Sequence, residues 1–417
     1  MLTETQILCT RFPSLTSALD ATMPALEPYR ISPIDLHNQA RVLEAFSRQQ
    51  VDSYDLLGST GYGYNDRGRD KLEAIYCQVF GGEAALVRPH IASGTHALWL
   101  ALSGNTQPGE EIIAITGEPY ATLATVLAQT APGSFKSLNI EFKTIDLLPG
   151  GQFDLDALAK TMSPRTKIIY IQKSRGYSLR EPVSNRQIAA LAAWLATQAH
   201  RPAIVVDNCY GEFVEAEEPG HVGADLTVGS LIKNPGGGLA ETGGYIVGKR
   251  ELVANSAARL LAPGLEGEVG STGNYLRGMY QGLFLAPHFV GQGVFNARFA
   301  AALAEYLGYK ATPRWDEERY DLVQAIELGS EEKMAKFCRA IQGASPVDSY
   351  VAPVPGEMPG YRVPVVMAAG TFIQGASLEL SADGPVEPPY IVYYQGGLST
   401  QHGMLAIAAA LESVGAN

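Results

Sequence analysis

From residue 84 onward, short apolar runs rich in β-branched side chains alternate with stretches whose apolar positions recur at helical spacing. Such alternation predicts an α/β fold, a largely parallel sheet with crossover helices on its faces. Seven runs read as strands: 85–88, 111–116, 140–146, 167–172, 203–207, 226–230 and 244–248. The clearest helix covers 185–200, where Ile188, Leu191, Ala192 and Leu195 fall on one face. Another precedes the first strand and carries Leu72, Ile75, Tyr76, Val79 and Phe80 on one side. Gly81-Gly82 ends it.

After about residue 291 the texture changes to helices, with strands expected at 363–368 and 377–381 and an alanine-rich helix beyond Ser399. The proline-rich stretch 351–364 reads as a loop or sheet edge. A chain of 417 residues exceeds what one hydrophobic core usually supports. The expected organisation is therefore an N-terminal arm over 1–60, a large domain over 61–290 and a smaller α+β domain over 291–417, on which the arm can pack.

Composition narrows the function. A hydrophobic content of 46% with 18% charged residues suits a globular enzyme and excludes a disordered chain. The net charge of −12, without a Lys/Arg cluster, argues against nucleic acid or anionic membrane as partner. Cys9, Cys77, Cys209 and Cys338 are scattered without CxxC spacing, so neither a metal site nor a disulfide framework is expected, and a reducing cytoplasm fits. The first thirty residues lack the pattern of an export signal, and no run is long and apolar enough to span a bilayer.

A P-loop, a GxSxG elbow, a GxGxxG turn and an HExxH helix are all absent. Three other features remain. Ser93-Gly94-Thr95-His96 stands between a strand and a helix, where small residues expose free N–H groups to a phosphate, although such residues ordinarily just cap the helix. Asp207 ends the apolar run 203–206, where a carboxylate faces either a ligand or the next turn. Lys233 follows another apolar run and precedes Pro235-Gly236-Gly237-Gly238, either a solvated loop lysine or a long cation in a tight place that covalent engagement would relieve.

This order, a helix-start phosphate cradle, a strand-end Asp, then a Lys before a glycine-rich turn, resembles the pyridoxal-phosphate (PLP) enzymes of fold type I from about residue 60 to 400. Within them the chain resembles the cystathionine-metabolism group through Val206-Asp207-Asn208-Cys209-Tyr210. More closely still, it is similar to the methionine γ-lyase-like proteins often labelled aluminium-resistance proteins. The segments that carry this likeness are 61–73 (GYGYNDRGRDKLE), 87–98 (VRPHIASGTHAL), 230–238 (SLIKNPGGG), 367–375 (MAAGTFIQG) and 390–398 (YIVYYQGGL).

The resemblance implies the PLP-dependent transferase fold, with a mostly parallel seven-stranded sheet in the large domain. It implies PLP as the cofactor, bound to Lys233 as a Schiff base, with Asp207 pairing the protonated ring nitrogen. Ser93, Gly94, Thr95 and Ser230 would hold the phosphate, and Tyr120 would stack on the ring; a packed surface aromatic is the alternative for Tyr120. Tyr64 and Arg67 would reach a neighbouring subunit's phosphate in a homodimer or homotetramer, although their spacing departs from the group's Tyr-x-Arg. His96 reads as a helix-start residue. Arg175, ahead of Arg362, would bind the substrate carboxylate, although either could be a solvated arginine.

The lysine also lacks the serine–threonine–lysine–tyrosine setting of true methionine γ-lyases, which leaves selectivity open. The implied reaction is elimination of a thiol from a sulfur amino acid of the cysteine, cystathionine or methionine kind. Two rivals remain: an aminotransferase using the same lysine and aspartate, and a non-catalytic PLP-binding or metal-tolerance protein.

Overall fold

The computed structural model describes residues 2–128, 131–265, 267–358 and 360–416, so Pro359 of the proline-rich stretch lies outside the described residues. The larger sheet contains β1 Ala84–Arg88, β2 Glu111–Ala114, β3 Glu141–Thr144, β4 Thr166–Gln172, β5 Ala203–Asp207, β6 Leu226–Ser230 and β7 Gly244–Gly248. Their order is β1-β7-β6-β5-β4-β2-β3. Strands β3, β2, β4, β5 and β6 are mutually parallel, and β7 runs antiparallel to both of its neighbours. Each lies within two residues of the run that predicts it.

The central strands are apolar over most of their length because both faces are covered. Ile112, Ile168, Tyr170 and Val205 join one core, while Ile113, Ile169, Ile171, Ile204 and Val206 join the core on the opposite face. Full burial of one such side chain stabilises by roughly 1.5–3 kcal/mol. The helix Asn185–Leu195 buries Ile188, Leu191 and Leu195 on the second face, and Ser184 caps it by accepting from the Gln187 N–H. It ends earlier than residue 200.

A second sheet holds β8 Lys310–Thr312, β9 Gln324–Glu327, β10 Val365–Ala368, β11 Ser381–Pro385 and β12 Ile391–Gln395, in the order β10-β11-β12-β9-β8 and antiparallel throughout. The strand expected at 377–381 is corrected here. Leu378 and Leu380 mimic strand alternation but are buried ahead of the strand, whereas Ser-Ala-Asp-Gly-Pro, which forms β11, has little strand propensity of its own. Cross-strand pairing to β10 and β12 decides it. The 31-residue helix Leu276–Tyr306 carries the chain from the first sheet to the second. The N-terminal helices Glu4–Arg11 and Thr16–Leu26 bury Leu8, Leu19 and Leu26 with Phe299, Ile407 and Leu411. Among the described residues no helix is long and apolar enough to cross a membrane.

Candidate active site

The parallel strands end on one edge of the sheet, and the singled-out residues gather there. Register pairs Gln172, the last residue of β4, with Asp207, the last of β5, and Asp207 with Val228 of β6. Ser230 closes β6, and Lys233 follows just before a single helical turn, Asn234–Gly236. The Lys233 Nζ lies 3.9 Å from the centroid of the Tyr210 ring. Tyr210 adopts φ +71°, a left-handed conformation a non-glycine residue rarely holds without compensating contacts. Burial works against the Lys233 charge, but Cys209, Tyr210, Asp207 and Tyr120 together hold its ammonium well above the ordinary lysine range.

Asp207 is 3% exposed. Its Oδ1 accepts from the Cys209 N–H at 3.1 Å, and its Oδ2 accepts from the Tyr170 hydroxyl at 3.4 Å. Burial raises its carboxyl above the usual range, while Lys233 pulls the other way. Tyr120 is tied at both ends, its N–H donating to Gln172 Oε1 at 2.9 Å and its hydroxyl 2.9 Å from Thr95 Oγ1. Burial, then the Asp207 charge, keeps that phenol protonated.

The helix Gly94–Gly104 starts beside these groups. Ser93 caps it, its Oγ accepting from the His96 N–H at 3.1 Å, and the N–H groups of Gly94 and Thr95 have no intrahelical acceptor. His96 itself returns Nδ1 to the Ala92 N–H at 3.1 Å. A β-carbon on Gly94 would stand 3.4 Å from both Ser230 Cβ and Cys209 Sγ. The small Gly94, two N–H groups without an intrahelical acceptor, a buried hydroxyl at Ser230 beside them, a strand-end carboxylate and a lysine with no ion pair among the described residues form a donor set that fits PLP: anion cradle, pyridinium partner and amine.

The carboxylate candidates are placed differently. Arg175 and Arg362 both line a cavity of about 620 Å³ with Tyr120, Gln172, Arg180 and Tyr361. Arg175 is 2% exposed, its Nη1 donates to the Thr312 carbonyl at 3.1 Å, and its N–H donates to Asp321 Oδ2 at 2.9 Å. It therefore ties the cavity wall to β8. Arg362 is exposed at the mouth. Tyr64 is 58% exposed beside Tyr62, and Arg67 pairs with Asp52 at 2.7 Å and Asp55 at 2.6 Å. None of these contacts reaches the lysine or the helix start of the same chain.

Four residues were not foreseen. Tyr177 of the loop after β4, Tyr361 of the segment before β10, and Tyr393 and Asp383 of the second sheet gather beside the site, and Tyr361 and Asp383 come within electrostatic reach of Lys233. Sequence offers one faint signal for Asp383, a carboxylate in a run of small residues, and none for the tyrosines.

A seven-stranded sheet with this order, a smaller antiparallel sheet beside it and an Asp–Lys pair at the strand ends define the PLP-dependent fold type I architecture. The fold recurs in the PLP-dependent protein YhfS of Escherichia coli, with a TM-score of 0.59 at 18% identity over 90% of this chain and 94% of that one. The model of the methionine gamma-lyase family matches residues 20–415, and the chain belongs to that family. It is 49% identical over 388 residues, 92% of each protein, to the uncharacterized protein YnbB of Bacillus subtilis. The structure of a carbon-sulfur lyase involved in aluminum resistance from Clostridium novyi superposes with a TM-score of 0.92, at 38% identity over 99% of both chains.

Proposed function

We propose that this protein is a PLP-dependent carbon–sulfur lyase that expels a thiol from a sulfur-containing amino acid of the cysteine, cystathionine or methionine kind. The observation that carries the reading is the convergence of Lys233, Asp207 and the helix start at Gly94 on one edge of the sheet. The family and the Clostridium novyi relative support the reaction class.

When bound, PLP supplies an electron sink for the charge left at Cα. The chain's own groups do the rest. Gly94 and Thr95 N–H groups and the Ser230 hydroxyl would hold the phosphate, with Ser93 fixing the helix start. Asp207 would hold a proton on the ring nitrogen through a charge-assisted hydrogen bond. Tyr120, pinned by Thr95 and Gln172, would stack on the ring. The Lys233 amine removes the Cα proton as general base. Arg175 and Arg362 offer the cationic wall for the substrate carboxylate. The active unit is a homodimer or a dimer of dimers, in which Tyr64 and Arg67 extend to the partner's phosphate.

The test incubates the PLP-loaded protein with a panel of sulfur amino acids and no keto acid. Thiol, ammonia and a keto acid should appear, and borohydride should fix the cofactor on Lys233. Lys233→Ala should lose the label and the activity, while Asp207→Asn should keep the label and slow turnover by orders of magnitude. Turnover only with an added keto-acid acceptor would instead establish the aminotransferase, and a label on Lys173 would overturn the lysine assignment.

A further inference from the structure

A second cavity, of about 420 Å³, opens where the N-terminal arm, the long helix Leu276–Tyr306, the loop after β5 and the loop before β9 meet. It shares no lining residue with the cavity that holds Tyr120 and Arg175. Tyr29, Ile34, Phe213 and Val294 give it apolar walls, and Arg298 and Arg319 line it beside them. The segment that carries Arg319 also borders the lysine site: Asp321 accepts from the Arg175 N–H, and the Leu322 N–H donates to the Tyr210 carbonyl at 3.2 Å.

Arg319 is 5% exposed. Its Nη2 donates to Gln324 Oε1 at 2.6 Å, but Nε and Nη1 are buried without a hydrogen-bond partner, and the guanidinium forms no ion pair among the described residues. Burial, then the charges of Arg298 and Arg175, pushes it down to about 9, and Asp321 and Glu317 do not restore it. A guanidinium is ordinarily buried only where an anion answers it, because an unpaired charge forfeits its hydration. The carboxylates on the cavity wall are engaged elsewhere. Glu215 pairs with Lys173 at 2.6 Å, Glu318 accepts from the Tyr320 hydroxyl at 2.6 Å, and Asp35 has His288 as its electrostatic neighbour. Arg298 is partly answered, since it lies 4.3 Å from the centroid of the Tyr29 ring and donates to the Trp315 carbonyl. Arg319 is left as the cation on this wall that lacks an anion.

We propose that this cavity is a ligand site, separate from the active cavity, that takes a small monocarboxylate with an apolar body, its carboxylate on Arg319 and its body against Tyr29, Ile34, Phe213 and Val294. A carboxylate supplies the missing acceptor with a single charge. A dianion such as inorganic phosphate would meet Asp35, Glu215 and Glu318 across the same space and would leave the apolar walls in water. The site stands independently of the elimination chemistry.

The test measures, by calorimetry at pH 7 with the PLP-loaded protein, the binding of phenylacetate and of phenylacetamide, which matches it in shape but carries no charge. Phenylacetate should bind saturably and at least about tenfold more tightly than the amide, because only the carboxylate answers the guanidinium charge. Arg319→Met, which keeps the length of the side chain without its charge, should bring the ratio close to one. Ala216→Trp, at an exposed position on the cavity wall, should weaken phenylacetate by filling the space while leaving Arg319 in place. If Arg319→Met does not fold, Ala216→Trp decides. No saturable binding, equal binding of the amide, or tighter binding of inorganic phosphate overturns the proposal. So does an unchanged phenylacetate affinity in either folded variant, which would place the probe elsewhere, in the active cavity above all. Thiol release plays no part in this readout, so the site and the elimination fail separately.

Discussion

Glu212 is fully buried two residues beyond Tyr210, and its Oε1 accepts from the Tyr245 hydroxyl at 2.9 Å while Oε2 has no partner. Its backbone carbonyl accepts from Asn234 Nδ2 at 3.0 Å, so this residue braces the neighbour of Lys233. Burial pushes its carboxyl up to about 8, from an ordinary value near 4.5. Between those values the folded protein holds a proton that the unfolded chain releases, so stability falls as pH rises through the window. Glu212→Gln, an isostere of the protonated form, should flatten the decline. Thermal melts of both proteins from pH 5 to 9 should converge at the acid end, with the variant melting higher at the alkaline end. Parallel melting curves would show that Glu212 does not titrate there. Lys233 and Asp207 were legible at this scale because a charged group at the end of an apolar strand is conspicuous. Asp383 and Tyr177 were not, since 206 positions of sequence separate two residues that the fold sets together.

At the scale of elements, the lysine turn and the long helix Leu276–Tyr306 touch through glycines. A β-carbon on Gly282 would stand 2.1 Å from the Gly236 carbonyl oxygen, and one on Gly237 would stand 2.4 Å from the Gly282 oxygen. Replacing a helical glycine by alanine ordinarily gains up to about 1 kcal/mol in propensity. Here the contact is backbone to backbone and cannot rotate away, and overpacking costs roughly 1–3 kcal/mol. The clash should win. Gly282→Ala should lower the melting temperature and slow formation of the Lys233 adduct, followed by absorbance after adding PLP to the stripped protein; a more stable variant with normal kinetics would refute the contact. The central large-sheet strands were readable because burial on both faces favours apolar runs. The strand β11 was not, because its identity comes from its neighbours.

For the whole molecule, the segment between Ser53 and Gly63 exposes Tyr54 at 74%, Leu57 at 60% and Tyr62 at 75%, with Tyr64 next to it. In the proposed dimer this aromatic surface beside Arg67 would meet a second copy of the chain about a two-fold axis, which would make the sites reciprocal. Lys233→Ala and Arg67→Ala should each be inactive alone. Mixed after mild dissociation, they should form hybrids in which one site holds both lesions and the other holds neither, so that about half of the hybrid sites recover. Subunit exchange without recovery would show that Arg67 serves its own chain through Asp52 and Asp55.

The sequence by itself determined the class of fold, the strands of the large sheet and the two residues on which the chemistry is proposed to turn, because each of these is written in local pattern: apolar runs, caps, and a charge at a strand end. Only the tertiary structure decided what faces the lysine. Tyr393 and Asp383 belong to a sheet whose strands pair across long stretches of chain, and burial, the force that gives those groups their meaning, exists only once the two sheets are brought together.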